Sequence, residues 1–219
     1  MQSPKQKYLP ALRFHWLTPH YDALIALTLP EHRFKQALIT QANCKQGHRV
    51  LDLASGTGTL AIRLKQLLPL VEVIGVDSDP AILSIAARKA LEADVPVRFD
   101  RAMSSALPFP AEHFDRVVSS LFFHHLPWQE KKQTAQEIFR VLKPGAELHV
   151  ADWGRPGNLL MRGLFLFEQM FDGFENTQDN VSGKLITLFE ESGFIEVTEE
   201  QTFDTLFGTL ALYSATRPG

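Results

Sequence analysis

The sequence predicts an α/β fold, a doubly wound and mostly parallel sheet of seven strands that ends in an antiparallel hairpin. Through residues 48–152, apolar runs that suit buried strands alternate with amphipathic runs that suit helices. Such alternation is typical of βαβ crossovers, which bury a parallel sheet on both faces. Two β-prone runs, 195–203 and 207–216, then follow with a short break, so we expect them to pair antiparallel at the sheet edge.

The composition favours one globular domain over residues 1–219. Of the 219 residues 45% are hydrophobic and 21% are charged, which is ordinary for a chain with a sizeable core. A formal net charge of −3, with scattered lysines and arginines, gives no electrostatic footprint for nucleic acid, so we expect no nucleic-acid partner. The single cysteine, Cys44, excludes an internal disulfide and a cysteine-rich metal site, and we expect no metal.

Neither a membrane span nor a targeting segment is predicted. The N-terminus lacks an apolar signal core. Arg162, Glu168 and Gln169 interrupt the most hydrophobic stretch before it reaches the length of a transmembrane helix. We therefore expect a cytoplasmic protein without a transmembrane segment.

The predicted elements follow one another in the order that such a sheet requires. Residues 13–43 are apolar and aromatic, with prolines near two helix starts, and they predict an N-terminal helical cap. The five parallel strands are predicted at 48–53, 71–76, 96–99, 114–119 and 147–151. The predicted helices begin after Gly58, at Asp79–Pro80, at Pro127 or Trp128, and near Ser182. These elements define a core at 48–152 and a C-terminal helix and hairpin at 181–219.

Residues 153–180 form an apolar insertion between these two parts, and we interpret it as lid-like. Its most hydrophobic stretch, 159–174, is apolar almost all round a helix. Such a helix must be buried against the body of the domain, a second subunit or a membrane surface. The sequence leaves these three alternatives open, and with them a homodimer and peripheral membrane contact.

The stretch Val50–Ala61 predicts a small-ligand site. It reads as a strand with one carboxylate, a turn of small residues and a helix start, which offers bare backbone and unpaired N–H groups. Gly56 and Gly58, followed by Ala61 and by Asp77 after the next strand, satisfy the dinucleotide fingerprint. An NAD-dependent oxidoreductase is therefore one hypothesis.

The carboxylate of Asp52 argues against a dinucleotide. It stands only four residues before the first glycine, where a pyrophosphate would lie close to it. At 4 to 6 Å and an effective dielectric constant near 20, each pair of like charges costs about 3 to 4 kcal/mol. Asp52 therefore favours a cationic ligand.

Several motifs in order carry a family resemblance. The stretch LDLASGTGTLA resembles the first motif of the class I S-adenosylmethionine-dependent methyltransferases. The segments that match the same class further along the chain are GVDSDP, ALPFP, FDRVVSSLFFHHLP and VLKPGAELHVADW, followed by the hairpin. The early segment FHWLTPHYD is similar to the start of the ubiquinone/menaquinone-biosynthesis (UbiE-like) members. The resemblance implies a Rossmann-like fold, S-adenosylmethionine as cofactor and S-adenosylhomocysteine as product.

The resemblance also implies which residues bind this cofactor. Asp52 would neutralise the methionine end, the two glycines would give backbone contacts, and Asp77 would bind both ribose hydroxyls. The full implied set is Asp52, Ala54, Ser55, Gly56, Thr57, Gly58, Asp77, Ser78, Met103, Ser104, Ser119, Ser120 and His125. The chain departs from the family at the adenine, because Met103 stands where an aspartate is common and Asp100 is out of register. We expect backbone and Ser104 to contact the base, with Met103 packed on the ring.

The acceptor end is predicted around His124 and several aromatic residues. His124 follows the fourth strand at the carboxyl edge of the sheet, and it suits a structural role, a substrate contact or a general base. The predicted acceptor contacts are Phe14, Trp16, Tyr21, His124 and Trp153. We expect methyl transfer to a small, apolar or aromatic molecule. The alternatives are the NAD-dependent oxidoreductase and a non-catalytic S-adenosylmethionine-binding regulator.

Overall fold

The computed structural model describes residues 31–155, 179–180, 182–205 and 208–219. In this part of the chain the helices are α1 (Glu31–Ala42), α2 (Thr59–Leu67), α3 (Pro80–Glu92), α4 (Trp128–Val141) and α5 (Lys184–Glu191). The strands are β1 (Arg49–Leu53), β2 (Glu72–Asp77), β3 (Arg98–Arg101), β4 (Phe114–Ser120), β5 (Leu142–Trp153), β6 (Ile195–Thr205) and β7 (Gly208–Thr216). A short 3₁₀ turn, Phe123–His125, joins β4 to α4.

The described strands form one sheet of seven in the order β3-β2-β1-β4-β5-β7-β6. The first five strands pair in parallel, whereas β7 pairs antiparallel with both β5 and β6. The predicted fold class, with its antiparallel C-terminal hairpin, is therefore confirmed.

The sheet is covered on both faces, as a doubly wound fold requires. Successive residues of a strand point to opposite faces, so alternate residues of the central strands enter different cores. Leu51 and Val117 belong to one buried cluster, whereas Val50 and Val118 belong to the other. The first cluster is covered by α4 and α5, and the second by α1 and α2. This two-sided burial explains why the strands read as continuous apolar runs rather than alternating ones.

Two strands begin two or more residues away from their predicted starts. The third strand begins at Arg98 rather than Pro96, because its parallel register with β2 starts at the pair Ile74 and Arg98. The fifth strand begins at Leu142, directly after α4, and its pairing with β4 shifts in register across 143–146. Gly145, at a φ of 74°, makes this break within the predicted helix stop Lys143–Pro144–Gly145.

Only part of the predicted cap and insertion lies within the described residues. Helix α1 is the second of the two helices predicted in 13–43. Phe14, Trp16, Tyr21 and the stretch 159–174 lie outside the described residues. Among the described residues, no helix has the length and apolarity to cross a membrane, and no group of three or more acidic, histidine or cysteine side chains is arranged to hold a metal.

Candidate functional site

The candidate site lies where the strand order reverses. Strands β1 and β4 are neighbours in the sheet although β2 and β3 come between them in the chain. Crossovers leave β1 toward one side and β4 toward the other, so a crevice opens outside the carboxyl ends of these two strands. Residues predicted at the site follow β1, β2 and β4 at this same edge.

Asp52 is the buried carboxylate of this crevice. It is 1% exposed, and its Oδ2 accepts a hydrogen bond from the Ala61 N–H at 3.0 Å, near the start of α2. Burial raises the pKa of Asp52 to about 7, although Lys35 and the Ala61 N–H act in the opposite direction. Within the described residues no cation lies within ion-pair distance of it. A cationic ligand would therefore stabilise its charged form.

The loop after β1 uses backbone conformations that few side chains tolerate. Ala54, Gly56 and Gly58 have φ values of 56°, 52° and 78°. A Cβ on Gly58 would lie 2.8 Å from Phe99 Cζ, whereas a Cβ on Gly56 would meet nothing within 4 Å. Gly58 is thus needed for packing beneath the loop, and Gly56 leaves open space above it, where a ligand can approach the backbone.

Asp77, at the end of β2, fixes this loop. Its Oδ2 accepts from the Gly56 N–H and its Oδ1 from the Asp79 N–H, both at 3.0 Å. Burial raises the pKa of Asp77, and the two N–H donors oppose that rise. Each carboxylate oxygen can accept a further bond, so the group retains capacity for two ligand hydroxyls.

Other predicted cofactor residues are held around the same loop. Ser119 is fully buried and its hydroxyl donates to the Leu53 carbonyl at 2.9 Å, which ties β4 to the end of β1. The hydroxyls of Thr57 and Thr59 accept from Lys89 Nζ of α3 at 3.2 and 2.8 Å. Lys89 could not be selected from the sequence, because a lone lysine late in an amphipathic helix looks like an ordinary exposed residue.

The loop after β3 carries the predicted adenine contacts. Met103 bridges to Ala106 and is 37% exposed, while the Ser104 hydroxyl lies 2.8 Å from the Thr134 hydroxyl. The loop is joined to the site by the Ala102 N–H, which donates to the Asp77 carbonyl at 3.0 Å. Asp100 instead bonds Arg98 along β3. An exposed thioether suits packing on a flat apolar ring.

His124 and Asp152 form a buried pair at the ends of β4 and β5. His124 Nδ1 lies 2.7 Å from Asp152 Oδ1. Asp152 Oδ2 accepts from the N–H groups of Phe122 and Phe123 at 3.1 and 2.7 Å. The left-handed φ of 54° at Leu121 turns the chain so that these two N–H groups face the carboxylate. Burial opposes ionisation of Asp152, but His124 and backbone donors outweigh it and hold the pKa of this carboxyl below its usual value.

Two further buried residues, which the sequence did not identify, extend the hydrogen bonds of this pair. Asn180 Nδ2 donates to Asp152 Oδ1 at 3.0 Å, and Lys131 Nζ donates to Asn180 Oδ1 at 2.9 Å. Asp152 itself also escaped prediction, although a carboxylate at the end of the apolar run 148–153 was a signal of the kind that identified Asp52. Lys131 and Asn180 carried no signal, because their roles depend on which segments meet in space.

The remaining predicted residues differ in burial. Trp153 is buried, and its ring centroid is 6.3 Å from that of His124. His125 is partly exposed, 3.9 Å from His124 between ring centroids. Ser78, Ser120 and Ala54 are also partly exposed at the strand ends. The structure thus brings every described candidate to the carboxyl edge of the sheet.

Comparisons with known proteins agree on one class. A methyltransferase domain model matches residues 50–145. The chain is 32% identical to the ubiquinone/menaquinone biosynthesis C-methyltransferase UbiE of Pseudomonas entomophila, over 82% of this chain and 69% of that protein. It is 39% identical to the demethylmenaquinone methyltransferase of Thermus thermophilus over 65% of each protein, so the match spans slightly less than two thirds of that relative.

A solved structure supports the fold. Phosphoethanolamine N-methyltransferase 2 of Haemonchus contortus, in complex with phosphomonomethylethanolamine and S-adenosylhomocysteine, superposes with a TM-score of 0.69 at 17% identity, covering 85% of this chain and 53% of that one. The chain belongs to the class I S-adenosylmethionine-dependent methyltransferases, and S-adenosylmethionine is the cofactor of this class. Within the class it is similar to the UbiE and demethylmenaquinone enzymes. The comparisons give no support to an NAD-dependent oxidoreductase or to a non-catalytic regulator.

Proposed function

We propose that this chain transfers the methyl group of S-adenosylmethionine to a ring carbon of a reduced, quinone-type aromatic acceptor. The names of its relatives motivate the acceptor class and the carbon target. The observation that carries the proposal is the His124–Asp152 pair at the edge where β1 and β2 present Asp52 and Asp77. Cofactor chemistry and proton transfer can therefore occur side by side.

The cofactor would bind along the ends of β1 and β2. Asp52 would face the ammonium end of the methionine, and open backbone at Gly56 would admit the chain of the ligand. Asp77 would accept both ribose hydroxyls, while Met103 would pack on the adenine. The sulfonium supplies an activated methyl group, so the protein has to orient the acceptor and exclude water.

His124 would remove a proton from the acceptor, and the loss of this proton would make the acceptor carbon nucleophilic. In the tautomer that donates Nδ1–H to Asp152, the lone pair resides on Nε2, which can take a proton from a ring hydroxyl. The resulting oxyanion would raise electron density at the adjacent ring carbon, to which the sulfonium would supply its methyl group. Loss of the ring C–H proton to solvent would restore the aromatic ring as its oxyanion, and His124 would return the first proton to that oxygen.

The partners follow from this acceptor. A quinone-type lipid is poorly soluble in water, so we propose peripheral contact of the chain with the cytoplasmic face of a membrane. In this proposal residues 153–180 act as the lid and residues 13–43 as the cap. Phe14, Trp16, Tyr21 and Trp153 would line the acceptor pocket. We propose no nucleic-acid partner, and homodimerisation through 159–174 is the alternative to membrane contact.

The test uses the full chain with S-adenosylmethionine carrying a labelled methyl group and chemically reduced demethylmenaquinone. We expect a labelled quinone product that is one methyl group heavier, with fragmentation placing the label on ring carbon. Phosphoethanolamine serves as a polar comparison acceptor and should remain unlabelled. Label on oxygen, or transfer only to the polar acceptor, would refute the proposed acceptor. Calorimetry with NAD and S-adenosylhomocysteine should show binding of the latter only.

A further inference from the structure

Helix α4 carries two adjacent lysines in opposite environments. Lys131 is fully buried, whereas the side chain of Lys132 is 40% exposed and pairs with Glu191 at 3.2 Å. Removing an ammonium group from water is costly unless a specific partner compensates for the lost hydration. The burial of the Lys131 ammonium group therefore requires compensating partners, whereas the exposed Lys132 requires none.

A continuous chain of hydrogen bonds links Lys131 to His124. Lys131 donates to Asn180 at 2.9 Å, Asn180 donates to Asp152 at 3.0 Å, and Asp152 holds His124 Nδ1 at 2.7 Å. Asn180 connects the ammonium with the carboxylate, and all four side chains are buried. In such surroundings charges act on one another more strongly than at the surface.

Charged groups of both signs surround this chain of hydrogen bonds. The other titratable groups that act on it among the described residues are Asp179, His125 and Lys184, with Tyr213 facing Asp152 from β7. Asp179 is bound by Lys184 at 2.8 Å and lies 3.9 Å from Lys131. Among the described residues, Lys131 and Lys184 are the ammonium groups that act near the carboxylates of Asp152 and Asp179. Without another cation nearby, the buried carboxylate of Asp152 would stabilise the doubly protonated, cationic form of His124. The positive charge of Lys131 reduces this stabilisation.

We propose that Lys131, acting through Asn180 and Asp152, keeps the His124 imidazole neutral and therefore able to accept a proton. Lys131 and Asn180 are positioning residues, because they act through Asp152. The consequence for catalysis rests on the proposed function, whereas the effect on the protonation of His124 does not. Burial lowers the pKa of Lys131 to about 8, with Asp152 and Asp179 opposing that fall, so the ammonium form is still favoured at neutral pH.

The test is an NMR pH titration of imidazole signals in the full chain, which requires no acceptor. The His124 signal is assigned by its loss in His124→Asn. We expect Lys131→Met to raise the protonation constant of His124 about tenfold or more, since it removes the compensating charge. Lys132→Met is the matched control, and it should leave the His124 titration unchanged. Lys131→Arg, which keeps the charge, should restore much of the wild-type behaviour.

An unchanged His124 titration in Lys131→Met would overturn the inference, as would an equal shift in Lys132→Met. If circular dichroism shows that Lys131→Met does not fold, Asn180→Ala breaks the same chain at its middle and should shift His124 in the same direction. No shift in folded Asn180→Ala would overturn it too. Turnover assays separate the two proposals. If Lys131→Met shifts the His124 titration but the quinone-type acceptor is not methylated, only the quinone assignment is refuted.

Discussion

The two ends of the site are built in different ways. The proposed cofactor end comes from one short stretch, Asp52 to Gly58, and from Asp77 at the end of the next strand. The proposed acceptor end comes from four separate positions in the chain, His124, Lys131, Asp152 and Asn180. Neighbours in sequence leave a motif that can be read directly, whereas neighbours in space leave none. The difference predicts that substitutions at one end should spare the other.

The largest effect is expected at the acceptor end. His124→Asn keeps an amide donor for Asp152 but lacks the second ring nitrogen, so kcat should fall about 100- to 10,000-fold if His124 is the base. Steady-state kinetics with saturating cofactor measures this, and calorimetry should show unchanged S-adenosylhomocysteine affinity. His113→Asn is the control, because His113 directly precedes β4 and lies at the opposite edge of the sheet. Equal loss of activity in both variants would contradict a specific role for His124.

A smaller effect is expected at the cofactor end. Asp77→Ala removes charge-assisted hydrogen bonds and should weaken S-adenosylhomocysteine binding by about 1.5 to 3 kcal/mol, measured by calorimetry. Asp79, two residues on, caps α3 by accepting from the Ala81 N–H at 2.8 Å. Asp79→Ala should therefore lower the melting temperature with little change in affinity. Unchanged affinity in Asp77→Ala would show that the ribose binds elsewhere.

The smallest effect is a pH dependence of cofactor binding. The raised pKa of Asp52, about 7, leaves this carboxyl mostly protonated below pH 7 and ionised above it. A cationic ligand prefers the ionised form, so affinity for S-adenosylhomocysteine should rise about tenfold between pH 6 and pH 8. Calorimetry across this range measures it, and Asp52→Asn should flatten the curve. An affinity that stays constant or falls between pH 6 and pH 8 would contradict the assignment of the ammonium to Asp52.

Much of the fold could be predicted because the sheet leaves its pattern in local sequence. Strands buried on both faces are continuous apolar runs, and Asp79–Pro80 begins α3 with a cap and a proline as predicted. The start of β3 could not be predicted, since pairing with β2 fixes it rather than any local signal. Lys131 looked like an exposed helical residue, because its burial depends on the approach of Asn180.

The last strand of the chain is an inner strand of the sheet. Strand β7 lies between β5 and β6, and its residues 210–216 pair with β5 from Trp153 back to Glu147. During synthesis on the ribosome, the edge of β5 beside Asp152 therefore stays uncovered until the residues of β7 have emerged. Exposed strand edges invite pairing with other chains, so nascent chains halted before 208 should be prone to aggregate. Asp52 and Asp77 precede His124 and Asp152 in the chain, so the residues of the proposed cofactor end emerge before those of the acceptor end.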